Sequence, residues 1–257
     1  MAAPPLFLPG KELPILWEDR HFVVINKPAG LAAHPGPRTQ DSVEARLVPQ
    51  KRGGPWLVHR LDADTAGCLL IARRKSALVA AQHAFAEHKT VKRYWALVDG
   101  RPTEEKGTLT TLLRRVSSAQ QGWKMVSEAI PQTASTKKAA SPQETQNKPA
   151  QTSWRILASN GASSLLELTL HTGRTHQARV HCAMLGTPIY GDQLYGNPRR
   201  VGKLRLLARS LEVPVKLAPM GGGKAAERNL EPYCIQAIAG DVELEQFLQS
   251  HAITTSS

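Results

Sequence analysis

Short apolar runs broken by Gly, Pro, Asn and Asp set the rhythm of the chain. "ILWED" and "HFVVINK" are two such runs around a polar turn and read as strands. "WLVHRL" and "GCLLIARR" have strand length, and "KRYWALVDG" alternates before ending in Asp-Gly. "TSWRILAS" and "SSLLELTLH" flank Asn160-Gly161, a strong hairpin signal. "RLLARSLEV" is a further strand.

Helical spacing is rarer. "DSVEARLV" predicts a short helix capped by Asp41 or Ser42. "SALVAAQHAFAEH" places Leu78, Ala81 and Phe85 on one face, with Ser76 as its N-cap. "RTHQARVHCAMLG" places Ala178, Cys182 and Leu185 at helical spacing, with Gly186 where a terminating glycine belongs. "DVELEQFLQS" predicts a terminal helix capped by Asp241. Many strands with few helices predict an α+β fold: a mixed, mostly antiparallel central sheet with flanking helices and loops.

Between these elements, "KPAGLAAHPGPRTQD" is dense in Gly and Pro and reads as loop, as does "APMGGGKAAERN". Residues 1–12 read as a lead-in and 251–257 as a tail, with one domain over 13–250. Residues 131–151 show no hydrophobic pattern and read as a mobile insertion within that domain.

Charge adds a partner. Lys plus Arg number 33 against 21 for Asp plus Glu, a formal net charge of +12 over 257 residues. Such a surplus points to a polyanion, RNA or DNA first. Candidate contacts are the cluster Arg199, Arg200, Lys203, Arg205 and Arg209, and the pair Arg114 and Arg115. Cys68, Cys182 and Cys234 are odd in number and far apart, which argues against a disulfide framework or a zinc site and for a reducing, cytoplasmic setting. The N-terminal run is interrupted by Pro4, Pro5 and Pro9 and lacks a basic start, so neither a signal peptide nor a membrane span is expected. His171, His176 and His181 recur every five residues, about 140° apart on a helix, and form no metal face.

The stretch with most chemistry is "HRLDADTAG", His59 to Gly67. A calcium loop starting at Asp62 fails at Ala66, which offers no oxygen, and at Arg73, which repels the ion. A plain surface turn remains open, since Asp, Thr and Gly are ordinary turn residues. The third reading is an aspartate held between two strands and kept ionised by a nearby arginine, suited to nucleophilic or general-base work. Asp62 and Asp64 as a glycosidase pair fit poorly, because residues two apart on a tight turn cannot straddle a substrate bond.

"HRLDADTAG" resembles the HRLDxxTSG signature of RluA-type pseudouridine synthases. "VVINKPAGLAAHPG" (23–36) resembles that family's Lys-Pro-x-Gly motif, and "KRYWALVDG" (92–100) its KxYxAxVxG strand. "PAQTSWRIL" resembles its PAxTxY segment, and "TGRTHQARVHCAMLGTPIYGDQLYG" (172–196) its long TGRTHQ block. The matches keep the family's order from about residue 13 to about 215.

The resemblance implies isomerisation of uridine to pseudouridine in rRNA or tRNA, without cofactor or metal. The glycosidic bond breaks, the uracil rotates, and C1′ bonds to C5. It implies that Asp62 is the catalytic aspartate, as nucleophile or as base at the 2′ position. It implies that Tyr94 stacks on the target base, that Arg179 pairs with the aspartate, and that Arg60 helps displace the nucleotide from its stack. His59, Arg174, His176 and Gln177 are expected along the substrate path. Ala66, Ala178 and Leu207 depart from the family's usual Ser, Ile or Leu, and His. The motifs begin near residue 13, so a stand-alone catalytic domain without an S4-type RNA-binding domain is expected; the sequence leaves the oligomeric state open, with a monomer as the expectation. The competing expectation is a catalytically silent RNA-binding or ribosome-assembly module on the same fold, against which the intact aspartate, tyrosine and arginine argue.

Overall fold

The computed structural model describes residues 5–37, 39–51, 53–118, 122–128, 147–198, 201–217 and 231–252. The chain divides into two compact units, Met1–Arg93 with Leu207–Asp241, and Tyr94–Leu206 with Val242–Ser257.

The first unit holds β1 (Ile15–Glu18), β2 (Phe22–Lys27), α1 (Val43–Arg46), β3 (Trp56–Leu57), β4 (Ala66–Ala72), α2 (Lys75–Ala86), β10 (Leu206–Leu217) and β11 (Glu231–Ile238). β2 and β4 are near-continuous apolar runs because both faces are covered, and nearly every residue in them is buried. They pair antiparallel from Phe22↔Ala72 to Lys27↔Gly67. β1 pairs with β2, β3 with β4, and β11 with β10, all antiparallel, while β10 joins β4 in parallel at Leu207↔Ala66 and Ala208↔Gly67. The sheet is therefore mixed and mostly antiparallel, as the pattern predicts.

That short parallel contact dictates one residue. Gly67 has φ of 111°, a region L side chains rarely adopt, and a Cβ there would collide with the carbonyl oxygen of Ala208. The closing glycine of "HRLDADTAG" is thus required by the approach of β10.

Ser42 caps α1, its hydroxyl accepting from the Ala45 amide at 3.1 Å. α2 begins earlier than Ser76 predicts. Arg74 is the extended N-cap residue (φ −137°, ψ 148°), and its carbonyl accepts from Leu78, so Ser76 lies inside the first turn. Ala77, Leu78, Ala81 and Ala84 form its buried face. The expected strand over 56–61 shrinks to β3, and the following residues turn into the loop that carries Asp62. In the lead-in, Leu6 and Phe7 are buried, and Phe7 bridges to Leu47.

The second unit orders its strands β5 (Val91–Asp99), β9 (Ser163–Leu170), β8 (Lys148–Ser159), β6 (Lys106–Ser118), β7 (Gly122–Glu128). β8 alternates strictly enough to bury Ala150, Thr152, Trp154, Ile156 and Ala158 on one face. The Asn160 side chain accepts from the Ala162 and Ser163 amides and closes the expected β8–β9 hairpin. α3 (Gln177–Met184) lays Ala178 and Cys182 into the core with Leu185 against it, and Gly186 follows with φ of 74°. α4 (Val242–His251) begins directly after Asp241. Of the expected insertion, 131–146 lies outside the described residues, while Lys148–Gln151 belong to β8. The expected loop over 218–229 also lies outside them.

Gly67→Ala combines a left-handed strain with a backbone clash, and should lower stability by roughly 2–5 kcal/mol. Urea denaturation measures this; a midpoint equal to wild type would contradict the reading.

Candidate active site

The site residues expected from sequence fall into two groups. His59, Arg60 and Asp62 lie in the loop between β3 and β4, in the first unit. Tyr94, Arg174, His176, Gln177 and Arg179 lie in the second.

The loop is held from below by a buried lysine. Lys27 ends β2, opposite Gly67, and its side chain is fully buried. Its Nζ donates to the carbonyls of Pro28 at 2.9 Å, Leu31 at 2.7 Å and Ala63 at 2.8 Å. An ammonium has three protons, so every donor is used. The Gly30 amide donates to the same Ala63 carbonyl, and Thr65 N–H donates to Asp62 O at 3.1 Å. Ala63 is the residue after Asp62, so Lys27 fixes the turn at its second position. Burial lowers the Lys27 pKa to about 8, although the Asp64 and Asp62 carboxylates favour its charged form. Asp62 is half-buried, between buried Leu61 and exposed Ala63.

His59 anchors the other end of the loop. Its Nε2 accepts from the Leu70 amide at 3.1 Å, and its ring stacks on Phe85 of α2 at 4.9 Å between centroids. Burial, then the charge of Lys92, pushes its pKa down to about 4, so the ring stays neutral and able to accept. His59 thus acts as a structural latch, its Nε2 used inside the fold. Arg60, next to it, is exposed. Two departures from the family pattern meet here, since Ala66 and buried Leu207 are register partners.

In the second unit, Tyr94 is partly buried and packs on the core cluster that includes Ala178 and Cys182. Arg179 is almost fully buried in α3. Its Nε and Nη2 donate to the two Asp192 oxygens, each at 2.7 Å. Asp192 Oδ1 also accepts from the Leu194 and Tyr195 amides. Burial works against the Asp192 carboxylate, but the Arg179 bonds and charge and the two amides outweigh it and hold its pKa below the ordinary value. One carboxylate therefore orients the arginine and the turn bearing Tyr195, whose ring lies 5.1 Å from the Arg179 guanidinium carbon.

His176 stands at the start of α3 in the left-handed region (φ 53°), and its Nδ1 meets the Tyr195 hydroxyl at 2.8 Å. Gln177 is 1% exposed. Its Oε1 accepts from Thr172 Oγ1 and the Arg174 amide, and its Nε2 donates to Gln151 O and Thr152 Oγ1. Its polar atoms are thus used in fixing the turn that precedes α3. Arg174 is half-buried, with Nε donating to Pro149 O. His181 is buried between Thr111 and Thr152, and burial pushes its pKa down to about 4. No group of His, Cys, Asp and Glu suited to a metal ion occurs among the described residues.

Sequence reasoning gave no role to Lys27 or Asp192. Lysine is among the residue types least often buried, and "YGDQLYG" reads as a turn. The available signal was position: Lys27 continues the buried run "FVVIN", and Asp192 precedes two amides at capping distance in sequence. Of the basic cluster, Arg199 and Arg200 lie outside the described residues. Arg205 is paired with Glu243, and Arg209 donates to the Ala239 carbonyl.

Solved structures share this fold. The human RNA pseudouridylate synthase domain containing 4 protein superposes with a TM-score of 0.67 at 25% identity, covering 92% of each chain. The human domain containing 1 protein gives 0.62 at 26% identity, over 94% of this chain and 96% of its own. The fold is thus that of the pseudouridylate synthases. Residues 21–184 match the family model described as RNA pseudouridylate synthase. The chain belongs to that family and, with it, to the isomerases. An uncharacterised RNA pseudouridine synthase of Zymomonas mobilis is 36% identical over 77% of this chain and 86% of its own length. The ribosomal large subunit pseudouridine synthase D of the same organism is 33% identical over 73% of this chain. The chain spans 57% of that relative, and 52% of a Synechocystis RNA pseudouridine synthase that is 38% identical to it. No described helix is long and apolar enough to cross a membrane.

Two predictions come from the buried charges. Between about 8 and its unfolded value near 10.5, Lys27 holds its proton less in the folded chain than in the unfolded one. Its titration therefore favours the folded state as pH rises through that window, while the three-carbonyl clamp loses a donor. Activity should decline above pH about 8 without a matching loss of thermal stability from this group. Lys27→Met should remove that limb and lower the rate at pH 7 by about 10- to 100-fold, the effect of a misplaced catalytic group. A pH–rate profile of both proteins checks it, and superimposable profiles would refute it. Asp192→Asn leaves the buried Arg179 without its counter-charge and should cost about 3–5 kcal/mol, read by chemical denaturation.

Proposed function

We propose that this chain converts uridine in ribosomal RNA to pseudouridine, with Asp62 as the catalytic aspartate. The observation that carries the reading is the clamped Asp62–Thr65 turn: a half-buried carboxylate on a loop whose Ala63 carbonyl accepts from Lys27 Nζ and the Gly30 amide, with the His59 latch at its other end. A positioned carboxylate suits attack at C1′ or proton removal at the 2′ carbon. Tyr94 supplies the aromatic face for the detached uracil, and Arg179, aligned by Asp192, is the arginine of the catalytic set. Arg60, Arg174 and His176 contact the RNA; His59 and Gln177 act by positioning. The reaction balances internally: the C1′–N1 bond breaks, C1′–C5 forms, C5 loses its proton and N1 gains one.

Ribosomal RNA is favoured over tRNA because relatives named ribosomal large subunit pseudouridine synthases D and C match 73% and 71% of this chain. The protein acts as a monomer in the reducing cytoplasm, in keeping with three free thiols.

Recombinant protein incubated with rRNA and tRNA lacking the modification, followed by carbodiimide mapping, tests this. Wild type should add pseudouridine to rRNA. Asp62→Asn should reduce the rate by at least about 1000-fold, as expected for loss of a covalent or general-base group. Modification confined to tRNA would correct the substrate. Unchanged activity in Asp62→Asn would remove the assignment, and an inactive wild type would favour an RNA-binding module.

A further inference from the structure

We propose that Arg115, stacked on Trp123, is a docking point for an unpaired base of the substrate RNA flanking the target uridine. The proposal rests on the reading of this chain as an RNA pseudouridine synthase and adds a contact outside the residues already assigned to it.

The hairpin of β6 and β7 leans on α3. Strand alternation sends Leu113 inward, where it packs with Val180 of α3, Met125 and Tyr195. Two residues further along each strand, the same face presents Arg115 and Trp123. Trp123 stacks on His176 at 5.0 Å with 20° between planes, and the Arg115 guanidinium carbon lies 4.5 Å from the Trp123 ring. The adjacent arginine behaves differently: Arg114 points to the other face and is paired with Glu128. Arg115 is exposed, and no carboxylate partner for it occurs among the described residues.

A guanidinium is planar, and one stacked on an indole keeps its outer face available. Unpaired RNA bases stack on such planes as they do on aromatic rings. The indole holds the guanidinium in place beforehand, so less side-chain freedom is lost when a base arrives. The row also leads toward the proposed chemistry. Trp123 abuts His176, His176 meets Tyr195 edge-on at 5.6 Å, and Tyr195 lies against Arg179. The hydroxyl of Tyr195 accepts from the Met125 amide at 2.9 Å, which ties the hairpin to the same turn that Asp192 organises. An RNA strand whose uridine reaches Arg179 would therefore pass Arg115 a few nucleotides away. A cation that only held the hairpin down would serve as well without a planar head, and the test turns on that difference.

The full chain, Arg115→Ala and Arg115→Lys are compared in binding oligo(A) RNA of about ten nucleotides and an abasic ribose-phosphate strand of the same length. Wild type should prefer oligo(A). Arg115→Ala should weaken oligo(A) binding by about five- to 100-fold, the range of base stacking. Arg115→Lys should keep abasic binding and its salt dependence but lose the base preference. On ribosomal RNA, Arg115→Ala should raise KM and leave kcat close to wild type. Thermal melts matching wild type confirm folding. An undiminished base preference in both variants, or an unchanged KM, overturns the proposal. The two readings fail separately: wild type without pseudouridine activity but with an Arg115-dependent base preference removes the enzyme and keeps the platform.

Discussion

A buried ammonium surrounded by three carbonyls is the constraint on which the first unit depends. Lys27 closes the inner strand pair at one end, ties down the Gly-Pro loop through Pro28 and Leu31, and reaches Ala63 beside the aspartate. Burying a charge is costly unless its hydrogen bonds are met. Here they are met by backbone alone, so the interaction fixes chain path rather than side-chain choice. The carboxylates of Asp62 and Asp64 add long-range support for the charge without bonding to it among the contacts described. The turn at Asp62 is thus held through backbone carbonyls.

The second unit solves a similar problem with the opposite sign. There a buried carboxylate, Asp192, organises a guanidinium and two amides. Around it, Gln177, His181 and three threonines form a neutral hydrogen-bonded layer that sets the start of α3. Low-dielectric surroundings strengthen such networks and penalise any missing member. Both units therefore spend polar residues on holding backbone, and leave fewer of the motif residues facing outward than the sequence suggests.

The strands, the β8–β9 hairpin and α3 were legible because they rest on local signals: alternation, Asn-Gly, and a glycine past a helix end. Asp62 stood out only through the order of distant motifs. Within those motifs, His59 and Gln177 look like substrate contacts, since polar residues beside a catalytic aspartate usually are. Which of their atoms the backbone would claim depends on partners far along the chain, Leu70 for one and Gln151 and Thr152 for the other. Lys27 and Asp192 were hidden for the same reason. Neither the start of α2 nor the shortness of β3 was readable either, because the first follows from the extended conformation of Arg74 and the second from the bends at Val58 and His59.

The parallel contact of Leu207 and Ala208 with Ala66 and Gly67 carries a consequence for biogenesis. The aspartate loop is translated early, yet the strand against which its closing glycine fits arrives after the whole of residues 94–206. Contacts of such sequence separation form late and slow the folding of a chain. On the ribosome, the loop and its lysine clamp emerge long before that strand can dock, so a nascent chain carries Asp62 without the finished support of its loop. The closing of this loop against β10 is in this way delayed by topology alone.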